Sequence, residues 1–277
     1  MQFNITTLVE NNIAQGGKAL LAEHGLSFYI EAGDRKILFD TGQGLAISNN
    51  ARVLGIDLNQ IDAVVLSHGH YDHSGGLQSV LEINKNFTLH GHPDVFSPKV
   101  KDNNGKYKYI GIPIDQRDFV NAGVTVEINR NPTEIAPGVM TSGEIALEND
   151  FEDVEAGFFL KNDAAVIRDT LADDQALILD TAKGVVIILG CSHRGVINTL
   201  THVARLKGTA KIHAILGGLH LGQASDGKLA KIIEHLRDFD LERVGVGHCT
   251  GPRAFLALAN EFKDRVFLNT VGKVFKF

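Results

Sequence analysis

The most informative part of this sequence reads Ser67-His68-Gly69-His70-Tyr71-Asp72-His73-Ser74-Gly75-Gly76-Leu77, directly after the apolar run Ala63-Val64-Val65-Leu66. Four candidate metal ligands therefore lie in the turn that leaves a buried strand: His68, His70, Asp72 and His73. Imidazole nitrogens and a carboxylate suit zinc, iron or manganese, and alternation along an extended segment puts His68 and His70 on one side. The pattern predicts a metal site, and a histidine-rich surface loop is the alternative.

Length and composition predict one globular α/β domain over residues 1–277. Hydrophobic residues make up 44% and charged residues 22% of the chain, which is ordinary for such a domain. The net charge is -6, and no cluster of lysine and arginine with interleaved aromatic residues occurs. We therefore expect no nucleic-acid partner.

The first nine residues and the cysteine count bear on the compartment. Residues 1–9 predict a first strand and not a signal peptide, and no apolar run approaches the roughly 20 residues that cross a bilayer. The two cysteines, Cys191 and Cys249, exclude a disulfide scaffold. We expect a cytoplasmic protein with no membrane partner, and its oligomeric state stays open at this level.

Strand and helix patterns alternate along the first half. Residues 26–40 predict two strands around a Gly-Asp turn, and a helix is expected over residues 46–54. The metal motif is followed by a second helix pattern that begins near Ser74. Residues 99–109 are polar and contain Asn103-Asn104-Gly105, which predicts a mobile insertion or hairpin tip and a candidate lid.

The second half resembles the first in outline. Residues 177–181 echo residues 37–41, and residues 185–195 echo the strand and loop around His68; chance similarity is the alternative. Three later strands each end with a histidine, namely His193, His220 and His248. Because α/β enzymes assemble their sites at strand ends, we expect these histidines to converge on the first motif. A lone loop histidine is the alternative for each.

Three features occur together: the motif His68-x-His70-x-Asp72-His73, Asp40 in Phe39-Asp40-Thr41-Gly42, and His248 at a late strand end. In these features the chain resembles the metallo-β-lactamase superfamily, over nearly its whole length. The phrases Gly190-Cys191-Ser192-His193, Gly217-Gly218-Leu219-His220-Leu221 and His248-Cys249-Thr250-Gly251 resemble one branch. That branch is described as similar to a 7,8-dihydropterin-6-methyl-4-(β-D-ribofuranosyl)aminobenzene 5′-phosphate synthase. The resemblance implies an α/β fold, an αββα four-layer sandwich with metal at one edge.

The resemblance also implies a ligand set for one or two divalent metal ions. Zinc is the first expectation, with iron and manganese as alternatives. His68, His70 and His193 are assigned to one ion, and Asp72, His73 and His248 to the other. The family usually adds a mid-chain histidine and a bridging aspartate, which this sequence lacks. Asp40 is expected to orient a ligand histidine through its other ring nitrogen. Cys191 is either a thiolate ligand beside the metal or a small buried hydrophobic residue.

These assignments predict a hydrolase that acts through metal-bound hydroxide on an anionic or phosphorylated small molecule, with Asp72 as the catalytic carboxylate. Arg194, His220 and Thr250 are candidate substrate-binding residues, and a solvated arginine is the alternative for Arg194. A second hypothesis is a dihydropteroate-synthase-like transferase that joins a pterin diphosphate to a ribofuranosylaminobenzene phosphate. A third, of another class, is a non-catalytic metal-binding sensor.

Overall fold

The computed structural model describes residues 2–14, 16 and 18–277. Two seven-stranded sheets lie at its centre, with strands numbered in chain order. The first sheet has the spatial order β18 (Val274–Lys276), β1 (Phe3–Val9), β2 (Ser27–Ala32), β3 (Arg35–Phe39), β4 (Ala63–Val65), β5 (Thr88–Gly91) and β8 (Thr125–Ile128). The second has the order β17 (Val266–Leu268), β16 (Arg243–Val246), β15 (Ile212–Gly217), β14 (Gly184–Leu189), β13 (Leu177–Thr181), β10 (Val139–Thr141) and β9 (Glu134–Ala136).

The described residues form seven α-helices, and all of them except the short α2 pack on the outer face of a sheet. They are α1 (Ile47–Leu54), α2 (Tyr71–Ser74), α3 (Leu77–Ile83), α4 (Gln116–Asn121), α5 (Val196–Lys207), α6 (Asp226–Leu236) and α7 (Pro252–Phe262). Within the ranges that the structure describes, no helix has both the length and the apolar character needed to cross a membrane.

The buried apolar residues form three main clusters, and these define four layers. One cluster lies between the sheets and contains Phe28 and Ile30 of the first sheet with Val186 and Ile188 of the second. A second packs α1, α3 and α4 on the first sheet, and a third packs α5, α6 and α7 on the second sheet. Each sheet is therefore buried on both faces, which explains why its central strands read as continuous apolar runs. The expected αββα sandwich is confirmed.

The two sheets repeat one order of strand directions, but the strands that correspond to one another differ from those expected. From β1 to β8 the pairs are two antiparallel and then three parallel, and the same holds from β10 to β17. In this repeat β14 corresponds to β3 and β13 to β2. Both expected equivalences, that of residues 177–181 with residues 37–41 and that of residues 185–195 with the strand and loop around His68, are therefore wrong by one strand. Apolar strand composition alone does not distinguish a hairpin strand from its neighbour.

A smaller sheet covers one end of the sandwich. Its order is β12 (Val166–Arg168), β11 (Phe158–Lys161), β6 (Lys99–Asn103) and β7 (Lys106–Tyr109). The predicted hairpin tip is present, since β6 and β7 pair around Asn104 and Gly105, both with positive φ. The hairpin is anchored at its base, because the fully buried Lys99 Nζ lies 2.8 Å from a carboxylate oxygen of Asp169 and of Asp173. Mobility of residues 99–109 stays a prediction.

Candidate metal centre

The site lies where parallel strands of both sheets end at the same edge. His68 and His70 follow β4, Cys191 and His193 follow β14, and His220 and His248 follow β15 and β16. The expected convergence of these strand ends is found in the structure.

Four strand ends at this edge, including that of β3, have an unusual backbone. The residues just beyond β3, β14, β15 and β16 include one non-glycine residue each at positive φ, namely Asp40 (59°), Ser192 (58°), His220 (49°) and His248 (48°). Positive φ is uncommon for residues other than glycine, and residues with this backbone conformation cluster at functional sites. The sharp turns direct side chains from the sheet edge toward one point.

The first ligand group consists of His68, His70 and His193, whose ring nitrogens all lie within 4.8 Å of one another. His68 Nε2 is 3.0 Å from His70 Nδ1. His70 Nε2 and both ring nitrogens of His193 are buried and have no hydrogen-bond partner among the described residues. Burial lowers the pKa of all three imidazoles well below the usual value, so they are neutral and able to bind a cation.

The second ligand group consists of Asp72, His73 and His248. His248 Nε2 is 3.1 Å from His73 Nε2 and 3.5 Å from Asp72 Oδ2. Burial lowers the pKa of His248 well below its usual value. His248 follows β16 as expected, whereas Asp72 and His73 lie in the short helix α2 and not in the turn that the sequence predicted.

Carboxylates and an amide fix the orientation of this second group. Asp40 Oδ2 lies 2.7 Å from His73 Nδ1, so His73 Nε2 faces the site. Burial acts to lower the pKa of His73, but the charge and hydrogen bond of Asp40 raise it to about 9. His248 Nδ1 lies 3.0 Å from Asn11 Oδ1, and the backbone N–H of His248 donates to the buried Glu10. Asp40 thus has the position expected for a residue that orients a ligand histidine.

The donor set fits a divalent ion. Two nitrogens bound to one tetrahedral zinc at about 2.0–2.1 Å lie roughly 3.3 Å apart. The contacts of 3.0 Å between His68 and His70 and 3.1 Å between His73 and His248 are close to that separation. Buried imidazole nitrogens without partners are costly unless a ligand satisfies them. Imidazole and carboxylate donors suit zinc, iron and manganese, and the identity of the metal stays a prediction.

Cys191 lies between the two groups. Its Sγ is 3.1 Å from His73 Nε2, and it falls within 4.8 Å of ligand atoms of His68 and His193 as well. Burial raises the pKa of the Cys191 thiol well above its usual value. The side chain is buried, yet the atoms next to its sulfur are ring nitrogens, which a purely apolar packing role does not require.

His220 is held from outside the site by a carboxylate. Its Nε2 lies 2.8 Å from Glu155 Oε2, and its ring centroid is 4.2 Å from that of His193. His220 Nδ1 is buried without a hydrogen-bond partner among the residues described. His220 therefore lies beside the metal ligands and lines the adjacent cavity, which is compatible with the expected substrate role.

Two expected substrate residues have other tasks in the structure. The buried Arg194 donates from Nε to the carbonyl of Ile145 at 2.7 Å and from Nη1 to that of Thr170 at 3.1 Å. Thr250 is also buried, and its hydroxyl accepts a hydrogen bond from the backbone N–H of Leu219 at 3.1 Å. Neither residue lines the cavity beside the metal ligands. Their polar groups hold loops together, and this corrects the expectation of substrate contact.

A cavity of about 520 Å³ opens beside His193 and His220. Several of its residues were not expected from the sequence. His24, from the segment before β2, lines this cavity and places Nδ1 3.4 Å from Asp72 Oδ2. Glu155 and Lys101 line it too, while Phe158 packs its ring 5.2 Å from that of His70 and 5.4 Å from that of His193. No local motif marks these residues, because each reaches the site through tertiary structure.

Comparisons with known proteins give the following similarities. The family model described as "Metallo-beta-lactamase superfamily" matches residues 21–248. A 7,8-dihydropterin-6-methyl-4-(beta-D-ribofuranosyl)-aminobenzene-5'-phosphate synthase of Methanocaldococcus jannaschii is 32% identical over 92% of this chain and 90% of its own length. An uncharacterised protein of the same organism is 34% identical over 98% of each chain. The crystal structure of Tm1679, described as a metal-dependent hydrolase of the beta-lactamase superfamily, has a TM-score of 0.84 at 30% identity, over 99% of this chain and 98% of that one.

Proposed function

The chain belongs to the metallo-beta-lactamase superfamily, and on that premise we propose that it is a metal-dependent enzyme that hydrolyses an anionic or phosphorylated small molecule. One observation carries this proposal. Two groups of ligand side chains lie beside a cavity large enough for a small molecule, and the first group contains buried ring nitrogens without a partner among the described residues.

The residues divide into holding and orienting roles. His68, His70 and His193 would hold one ion, and Asp72, His73 and His248 a second. Divalent ions bound there supply Lewis acidity that polarises a carbonyl or phosphoryl oxygen and lowers the pKa of water toward neutrality. Phe158 packs on the rings of His70 and His193 and so limits the access of bulk water on that side.

Two lysines supply positive charge for an anionic substrate in place of Arg194. Lys101 and Lys228 both line the cavity. Each has an acidic partner, Glu155 at 3.6 Å and Asp153 at 3.3 Å, and the lysine side chains are 47% and 29% exposed. Ion pairs of this kind contribute about 0–1 kcal/mol, so a phosphate group can recruit either ammonium at little cost.

A second candidate is the pterin transferase, and the 32% identical synthase favours it. In that reaction the amino nitrogen of a ribosylaminobenzene phosphate attacks the methylene carbon of a pterin diphosphate. A carbon–nitrogen bond forms, the carbon–oxygen bond to diphosphate breaks, diphosphate leaves and the nitrogen loses a proton. Both substrates are anionic, so the cationic cavity residues serve this reaction equally well. The two candidates differ in the nucleophile, which is water in one case and an aromatic amine nitrogen in the other.

The test begins with metal removal. Protein treated with a chelator should be inactive and should regain turnover with zinc, manganese or iron in a screen against a phosphodiester, a lactone and a thioester. The same preparations are incubated with the pterin diphosphate, with and without the aminobenzene acceptor. Diphosphate release only with acceptor identifies the transferase, and metal-dependent cleavage without acceptor identifies the hydrolase. Stoichiometric metal binding without turnover in any assay would overturn both and favour a sensor.

Substrate charge is tested at the cavity lysines. Lys101→Gln and Lys228→Gln should raise the Michaelis constant while leaving the metal content unchanged. Lys231→Gln is the matched control, since Lys231 lies on the same helix as Lys228 but does not line the cavity. Equal constants in all three variants would contradict an anionic substrate.

A further inference from the structure

The position of Cys191 differs from that of every other ligand candidate in the site. Its Sγ belongs to three of the groupings of ligand atoms that lie within 4.8 Å of one another. One contains His68 and His73, another His193 and His220, and the third His248 and Cys249. The sulfur is therefore within reach of both ligand groups that the proposed function assigns to two ions.

We propose that the Cys191 thiolate is a bridging ligand between the two metal ions, in the position where a carboxylate would otherwise be needed. This inference rests on the proposed function, because it requires that both ligand groups hold metal. The sulfur loses its proton to solvent as the metal–sulfur bonds form, so metal uptake through Cys191 releases one proton. A thiolate sulfur has several lone pairs and can bind two ions at once.

The geometry around the sulfur supports this assignment. A zinc ion bound to sulfur at about 2.3 Å and to nitrogen at about 2.0–2.1 Å separates these two atoms by roughly 3.6 Å. Cys191 Sγ and His73 Nε2 are 3.1 Å apart, so a small adjustment suffices for both to bind one ion. His73 cannot turn away, because its Nδ1 is held by Asp40.

The nearby carboxylates are committed elsewhere. Asp173 accepts hydrogen bonds from Lys99 Nζ and from the backbone N–H of Gly69, both at 2.8 Å. Asp174 Oδ2 accepts from the backbone N–H of Arg194 at 2.8 Å. Among the described residues, the one grouping of candidate ligands that includes a carboxylate is His24, Asp72 and His248, and its carboxylate, Asp72, is already assigned to the second ion. The position between the ions is thus left to sulfur.

A bridging thiolate also affects which metal is bound. Thiolate is a soft ligand that favours zinc, iron(II) and cobalt(II) over manganese and magnesium. The wild-type protein should therefore bind zinc and cobalt much more tightly than manganese, and Cys191→Asp should reduce that preference.

The experiment uses cobalt(II), because a thiolate–cobalt bond produces a charge-transfer absorption band in the near ultraviolet that nitrogen and oxygen ligands do not produce. The metal-free wild-type protein is titrated with cobalt beside Cys191→Ser, Cys191→Asp and Cys249→Ser. Cys249 is a matched control, since it is the second cysteine of the chain and lies within 4.8 Å of Cys191 as a candidate ligand. We expect the band in wild type and in Cys249→Ser, its loss in both Cys191 variants, and retained binding of two ions in Cys191→Asp.

The outcomes separate the two proposals. Wild-type protein that binds two cobalt ions without the band overturns the thiolate bridge but leaves the metal-dependent function standing. A band that persists in Cys191→Ser also overturns it. Protein that binds no cobalt contradicts the metal centre itself. If the Cys191 variants do not fold, X-ray absorption of the zinc-loaded wild type decides the question, since a sulfur neighbour at about 2.3 Å from both zinc ions is required.

Discussion

Replacing Asp40 by asparagine tests how the site orients His73. Asp40 is fully buried, and its Oδ2 lies 2.7 Å from both His73 Nδ1 and Ser67 Oγ, while Oδ1 accepts the backbone N–H of Ser67 at 2.7 Å. Asparagine has nearly the same shape and can keep the bond to the backbone. Its amide nitrogen, however, donates where the carboxylate accepts. His73 then places its proton on Nε2, the atom that faces the second ligand group.

The size of the effect follows from this change of tautomer. In the wild type Asp40 keeps a proton on Nδ1 after Nε2 has given up its own proton to bind metal. Asparagine instead favours the tautomer with the remaining proton on Nε2, and the ring also loses its charged orienting partner. Loss of such an outer partner typically lowers metal affinity about 10–100-fold. This corresponds to about 1.4–2.8 kcal/mol of binding free energy, since each factor of ten is about 1.4 kcal/mol. The first ligand group should be affected less, because Asp40 reaches it only through Ser67.

The assay is a competition titration of metal-free protein against a chromophoric chelator. Asp180→Asn is the matched control: Asp180 is an exposed aspartate that pairs with Lys207 at 2.7 Å on the second sheet, far from the ligands. Circular dichroism confirms that both variants are folded. If Asp40→Asn binds the weaker metal equivalent within twofold of wild type, the assigned role of Asp40 is incorrect.

The remaining predictions concern stability, the motif turn and proton release. Lys99→Met should lower the free energy of unfolding in urea by about 3–5 kcal/mol, because the buried Asp169 and Asp173 lose their shared partner. A loss below about 1 kcal/mol would refute this, and so would an equal loss in Lys108→Met on the exposed neighbouring strand. Gly69→Ala should lower metal content and stability, because a Cβ there would overlap the carbonyl of Val95, whereas the control Gly227→Ala has open space around its Cβ and should be neutral or stabilising. Unchanged metal binding in Gly69→Ala would contradict the close packing of the motif against Val95. Because Asp40 raises the pKa of His73 to about 9 in the metal-free protein, a metal ion must displace the His73 proton below that pH, and metal affinity should rise with pH up to about 9. Calorimetry in buffers of different ionisation enthalpy measures the released proton, and a metal affinity that stays constant from pH 7 to 9 would contradict the prediction.

The contiguous part of the site could be predicted from the sequence for a physical reason, whereas the αββα arrangement was implied by the family resemblance. His68, His70, Asp72 and His73 lie within six residues, so local geometry at one strand end determines their arrangement. His193 and His248 could also be placed, because each follows an apolar strand and parallel strands end at one sheet edge. The helix from Pro252 to Phe262 also follows from local sequence, since proline fits the first helical turn and the apolar spacing is helical.

Other features depended on tertiary structure and could not be predicted. Arg194 follows a ligand histidine, but its direction is determined by the carbonyls of Ile145 and Thr170, which are 49 and 24 residues away along the chain. His24 and Glu155 reach the site from loops without a recognisable motif. Lys99 begins a polar stretch that predicts exposure, yet it is fully buried because two aspartates distant in sequence neutralise it. In each case the partner that decides the role lies far away in the chain.

The central claim is that ligands from both halves of the chain hold metal at one sheet edge. Anomalous diffraction at the zinc absorption edge, from crystals grown with zinc, tests it most directly. We expect anomalous peaks at about 2.0–2.3 Å from the ligand atoms, one among His68, His70 and His193 and another among Asp72, His73 and His248. Zinc bound elsewhere on the protein, with no peak among these six side chains, would contradict it.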